Sequence, residues 1–173
     1  MAKLVVFYSR ADENYFSGSY RYISTGNTEK VANMIAEAAS ADLIKIEQNV
    51  PYAADYDTCI AQAKKDLQAK ARPELVSMPD SLEDYDAIVL IYPNWWGTLP
   101  QPVFTFLEEY DFSGKTILPL CTHEGSRLGR SENDIASLCQ NAQLLDGLSV
   151  RGSDAGSAQT EVEEWIRNSG IME

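Results

Sequence analysis

Histidine is almost missing from this 173-residue chain: there is one, His123, alongside three cysteines that form no CxxC pair. A closed structural zinc site takes four such ligands, so this supply argues against a metal centre. Cys59, Cys121 and Cys139 are odd in number and widely spaced, which reads as reduced thiols and not as a disulfide framework. Basic residues are also scarce, 14 against 26 acidic ones, for a formal net charge of −12. That balance argues against nucleic acid or an anionic membrane surface as a partner and favours basic proteins. Long apolar runs are absent as well. The N-terminal one, Leu4 to Tyr8, is too short for a signal-peptide core or a membrane span, so a soluble, cytoplasmic protein is expected. The GxSxG, Walker and HExxH patterns do not occur either, which removes three common hydrolytic and nucleotide-hydrolysing readings.

What is present is an ordinary globular composition, 45% hydrophobic and 23% charged, sufficient for one domain spanning residues 1–173. Lys3–Tyr8 and Ala87–Tyr92 are continuous apolar runs rich in β-branched residues, as buried parallel strands require. Asp42–Ile46, Lys115–Cys121 and Leu144–Val150 are weaker strands, and Pro119 fits the second of these awkwardly. Between them, apolar residues recur with helical spacing. Val31, Met34, Ile35 and Ala38 mark a first helix, and Ile60, Ala63, Leu67 and Ala71 a second. Val103, Phe106, Leu107 and Tyr110 follow, then Ile135, Leu138, Cys139 and Ala142, and finally Val162, Trp165 and Ile166. Ser9 to Tyr22 shows no period and reads as a loop. Strand–helix alternation of this kind predicts an α/β fold: a doubly wound, five-stranded parallel sheet between helical layers, a three-layer αβα arrangement. Ligands bind such sheets beyond the carboxyl ends of the strands.

Three loops leave those ends: Ser9–Thr28, Pro93–Pro100 and Thr122–Gly129. In the first, Ser24, Thr25, Asn27 and Thr28 surround Gly26 at the start of a helix. Free N–H groups and the helix dipole make that end a phosphate cradle; the ordinary alternative is a helix start capped by Thr25 or Asn27. The second loop carries Trp95 and Trp96, at least one of which should face a flat ligand. Gly97 offers a peptide able to turn either its C=O or its N–H toward that ligand. The third loop has backbone donors around Gly125 and hydroxyls at Thr122 and Ser126. Beyond Glu124, His123 has no evident nucleophile or carboxylate partner, and it reads as a surface or ligand-packing imidazole. Cys121 reads as a buried small hydrophobe. Glu47 could serve a dinucleotide ribose, but GxGxxG is absent. One phosphate cradle with a flat-ring site suits a mononucleotide such as FMN better than NAD.

Ser9, the Thr25-Gly-Asn-Thr28 turn, the Trp95-Trp-Gly97 loop and the Thr122–Gly129 loop resemble the flavodoxin family over nearly the whole chain. The resemblance implies a flavodoxin-like strand order, 2-1-3-4-5, and an FMN site. Ser9, Thr25, Gly26, Asn27 and Thr28 would hold the phosphate. Pro93, Asn94, Trp95, Trp96, Gly97 and Thr98 would meet the ring, while Thr122, His123, Glu124, Gly125 and Ser126 would cover its pyrimidine edge. The chain departs from the compact pattern at Arg10–Ile23, which separates Ser9 from the turn and puts Arg10, Arg21 or Tyr22 within reach of the ligand. The implied function is a monomeric, low-potential, single-electron carrier between basic redox partner proteins, a reductase and an acceptor. The rival is an NAD(P)H-dependent quinone or flavin reductase on the same scaffold, with Tyr15, Phe16 and Tyr20 walling a second ligand.

Overall fold

Apolar runs flanked by helical periodicity pair edge to edge in the computed structural model, which describes residues 1–173. Strands β1 (Lys3–Phe7), β4 (Asp42–Lys45), β5 (Ala87–Pro93), β6 (Thr116–His123), β7 (Gln143–Leu144) and β8 (Leu148–Arg151) form one sheet. Every pairing in it is parallel, in the order β4-β1-β5-β6, with β7 and β8 sharing the outer edge of β6. This is the expected 2-1-3-4-5 order, with the fifth position held by two short strands.

The sheet alternates its side chains between two cores, as the period of two demands. Leu4, Val6, Ile88, Leu90 and Ile117 face α3 (Gln101–Glu109) and α4 (Ser131–Leu138) through Val103, Phe106 and Ile135. Val5, Phe7, Val89, Ile91 and Leu118 face α1 (Asn27–Ala39) and α5 (Gln159–Asn168) through Val31, Ile35, Val162 and Ile166. Helix α2 (Tyr56–Ala69) begins at Asp55, whose side chain accepts the Thr58 N–H at 2.9 Å. Pro119 is accommodated because the outer strand is interrupted beside it. β7 pairs with Thr116 and Ile117, β8 with Leu120 to His123, and Pro119 falls in the gap. A short 3-10 turn, Gly152–Ser157, leads from β8 toward α5.

The structure corrects one element. Ser9–Tyr22 is not an irregular loop: Asp12–Phe16 (β2) and Ser19–Ile23 (β3) pair as an antiparallel hairpin outside the main sheet. Ser17 and Gly18 make its turn, both with positive φ, 44° and 100°. Such a turn matches the right-handed twist of two flanking strands. The signal in the sequence was two tyrosine-containing runs around a Ser-Gly pair, with Tyr15 opposite Tyr20. Their polar, largely exposed faces hid it from any search for apolar alternation.

Candidate functional site

The hairpin settles how Ser9 meets the Gly26 turn. Pairing of Asp12 with Ile23 folds the chain back, so that Ser9 and Arg10 lie directly against Gly26. A Cβ on Gly26 would stand 2.1 Å from Ser9 Oγ and 2.7 Å from the Arg10 carbonyl oxygen, so only glycine fits this close approach. Gly26 is also the N-cap residue of α1 and has no side chain to cap it with; neither Thr25 nor Asn27 holds that position. Ser9 Oγ instead accepts the Glu29 N–H at 3.1 Å. The first-turn N–H groups of Asn27 and Thr28 are left facing the edge of the sheet with no side-chain cap.

Above that helix end lies a cavity of about 360 Å³, within the range of small-molecule sites. Residues from all three anticipated loops line it: Ser9, Arg10, Asn27 and Thr28; Pro93, Asn94 and Trp95; and Thr122, His123, Glu124, Gly125 and Ser126. Five anticipated residues are not on its wall. Thr25 and Gly26 lie in the turn behind it. Trp96 and Gly97 are the central residues of a tight turn closed by Trp95 N–H to the Thr98 carbonyl at 2.9 Å, with φ of 56° and 87°. Thr98 is fully buried and donates its hydroxyl to Asp134. The Gly97 peptide is not a free swivel. Its N–H donates to Asn94 Oδ1 at 2.9 Å and its carbonyl accepts the Arg130 N–H at 2.8 Å. Arg21 instead packs over Phe16, and Tyr22 is 68% exposed.

The two tryptophans divide their duties. Trp95 faces the cavity with its ring edge-on to Tyr8, centroids 5.4 Å apart, and inclined to Tyr52. Trp96 turns outward. Its indole N–H donates to the Ile60 carbonyl at 3.0 Å and Lys64 sits 5.0 Å over its ring. Three cavity residues escaped the sequence reading: Asn14 on β2, Tyr56 at the start of α2, and Gly152 after β8; of the three aromatics expected to wall a second ligand, Tyr15 lines the cavity and Phe16 and Tyr20 do not. Tyr15 and Tyr56 stack at 6.1 Å. Tyr20 joins them at 4.8 Å from Tyr56, and its hydroxyl donates to Asp57.

Several polar groups are set for a ligand. Thr28 and Thr122 are buried and share a hydrogen bond of 2.7 Å between hydroxyls. Only one O–H can donate within the pair, so the other proton is left for an acceptor in the cavity. Arg10 ties its guanidinium to the carbonyls of Glu13, Ala53 and Ala54. Its Nε is buried without a partner, in a residue that lines the cavity. His123 accepts the Gly125 N–H at Nδ1, at 2.8 Å, which fixes its proton on Nε2. Desolvation and then the Arg151 charge hold its pKa below 6.5, against the opposing pull of Glu124. Cys121 is fully buried, and burial pushes its thiol far above the ordinary range, as expected for an inert hydrophobe. No group of three or more His, Cys, Asp or Glu side chains comes together to hold a metal, and no helix is long and apolar enough to cross a membrane.

A parallel α/β sheet with a cavity at its carboxyl edge, over a helix N-terminus, defines a class of ligand-binding protein. Within that class the flavodoxin family model matches residues 14–169. The chain belongs to the flavodoxin family. Among solved structures, a candidate flavoprotein from Bacteroides uniformis ATCC 8492 shares 26% identity over 96% of this chain and 97% of its own, with a TM-score of 0.78. A flavoprotein in complex with FMN from Lactobacillus acidophilus NCFM has 19% identity over 95% and 98% of the two chains and a TM-score of 0.67. The apo form of an NADH:FMN oxidoreductase has 13% identity over 98% and 90%, with a TM-score of 0.54; like the previous one, it shows the fold alone. Comparison with curated proteins returned no match.

Proposed function

We propose that the chain binds FMN noncovalently at this edge and carries electrons one at a time between partner proteins. One observation carries the reading: three loops from β1, β5 and β6 meet in a single cavity over a helix N-terminus whose first two N–H groups have no side-chain partner. The residues fit the cofactor. The Asn27 and Thr28 N–H groups, the spare hydroxyl proton of the Thr28–Thr122 pair and the orphaned Arg10 Nε are donors for a phosphate and its ribityl chain. Trp95 offers an aromatic wall for the flat ring. The neutral His123 lines the same cavity and adds no positive charge there. FMN would supply the redox chemistry; the chain's part is to hold it, exclude water and set the surrounding charge. Asp12, Asp55 and Asp57 are exposed beside the hairpin and the start of α2, a rim suited to docking basic reductase and acceptor proteins.

The second reading, an NAD(P)H-dependent quinone or flavin reductase, is supported by the aromatic pair Tyr15 and Tyr56 in the same cavity as Trp95, an aromatic surface for a second flat ligand. FMN-loaded protein incubated with NADPH and a quinone separates the two. A carrier consumes NADPH only when a separate reductase is added. Sustained turnover without one overturns the carrier reading in favour of the enzyme.

A further inference from the structure

We propose that the β2–β3 hairpin is the specificity element of the site: a latched strap that closes its phosphate end and restricts the cavity to a mononucleotide. The inference rests on the FMN reading above and goes beyond it in assigning a role to a segment outside the sheet.

The hairpin is fastened on both sides of the cavity. On the α2 side, the Glu13 N–H donates to the Ala54 carbonyl at 3.2 Å, and Glu13 Oε1 accepts the Tyr56 N–H at 2.8 Å. At its root, Asn14 Nδ2 donates to the carbonyls of Arg10 and Ala11. At its tip, Ser17 Oγ lies 3.1 Å from Ser153 Oγ and 3.5 Å from Glu124 Oε2. Glu124 in turn accepts the Ser153 N–H at 2.8 Å and pairs with Arg151 at 3.7 Å. Arg10, Asn14, Tyr15, Tyr56, Glu124 and Gly152 all line the cavity. The strap therefore runs from one rim to the other across the end where α1 begins.

That end is walled on its remaining sides. Ser9 and the Arg10 backbone press on Gly26. Opposite them, a Cβ on Gly152 would stand 3.0 Å from Asn27 Nδ2 and 3.2 Å from Glu124 Oε1. A terminal phosphate fits such an enclosure. A diphosphate continuing to a second nucleoside would extend toward the tip contact, where Ser17, Ser153 and the Glu124–Arg151 pair stand in its way. The tip residue carries its own sign of purpose. Two-residue turns with both φ positive favour Asn-Gly or Gly-Gly, yet the first place is Ser17, at φ 44°. Its hydroxyl is spent on Ser153 and Glu124, across the cavity, and not on the turn.

The test measures equilibrium binding and release of FMN and of the adenine dinucleotide of the same flavin (FAD), by flavin fluorescence. The proteins are the full wild-type chain, Ser17→Ala/Ser153→Ala, and Ser17→Cys/Ser153→Cys in reduced and oxidised forms. Wild type is expected to take FMN in strong preference to FAD. Removing both tip hydroxyls should narrow that preference about tenfold by admitting FAD, the scale of two lost hydrogen bonds. Oxidising the cysteine pair should slow FMN release about tenfold relative to its reduced form. An FMN-to-FAD ratio unchanged in the hydroxyl-free variant, with release unaffected by the lock, overturns the strap. Failure of wild type to bind FMN at all overturns the underlying reading instead.

Discussion

Gly26 is the residue on which the site's geometry turns. Ser9 Oγ could rotate away from an added methyl group, but the Arg10 carbonyl, 2.7 Å from the Cβ position, is backbone and cannot. Gly26→Ala should destabilise the fold by about 1–3 kcal/mol, read by urea denaturation, and displace the α1 N-terminus enough to lower FMN affinity. The buried Thr28–Thr122 pair is a second probe of the site. Replacing Thr28 by isosteric valine removes its hydroxyl and the bond to Thr122 without opening a cavity, and should weaken FMN binding about tenfold if that hydroxyl meets the phosphate, read in a fluorescence titration. His123 gives a pH signature. Its folded pKa lies below 6.5, whereas the unfolded value stays there. As pH falls, the unfolded chain therefore takes up the proton first. The contribution of His123 is whole above the unfolded value and is lost as pH drops through the folded one. His123→Gln should flatten that part of the stability–pH curve, measured as urea midpoints at about pH 7.5 and pH 5.

At the scale of elements, the second loop and the hairpin show what the sequence could and could not reveal. Adjacent tryptophans after a core strand signalled a ring contact, and Trp95 lines the cavity. Which of the two did so was illegible, because it depends on the tight Trp96–Gly97 turn that sends Trp96 to the Ile60 carbonyl and Lys64. Trp95→Leu should consequently cost most of the aromatic contact energy, about 0.5–1.5 kcal/mol in FMN affinity. Trp96→Leu should leave affinity nearly unchanged and loosen α2 against the loop, visible as faster amide exchange around Ile60. The central strands β1, β5 and β6 were legible because burial on both faces demands apolar runs. β2 and β3 were not, since they bury little and are held by cross-strand pairs and hydrogen bonds that leave no period. Asn14 entered the cavity unannounced for that reason: the hairpin puts it there beside Tyr15. Pro119 looked like an argument against a central strand until the outer neighbour proved to be interrupted beside it.

For the whole molecule, the alternation of strands and helices was enough to foresee a parallel sheet with three loops converging at one edge, while its 2-1-3-4-5 order was foreseen only through the flavodoxin resemblance. Twelve more acidic than basic residues, 26 against 14, give the chain a negative long-range field. Association with a basic redox protein should slow steeply as ionic strength rises toward 1 M, where the Debye length falls to about 3 Å; stopped-flow mixing at graded salt reads it directly. The central claim is that the cavity over α1 is an FMN site. A fluorescence titration of the purified, flavin-stripped chain with FMN tests it most directly. The account predicts saturable quenching at one FMN per chain, weakened by Gly26→Ala and by Trp95→Leu. No quenching, or quenching that both variants leave unaltered, would contradict it.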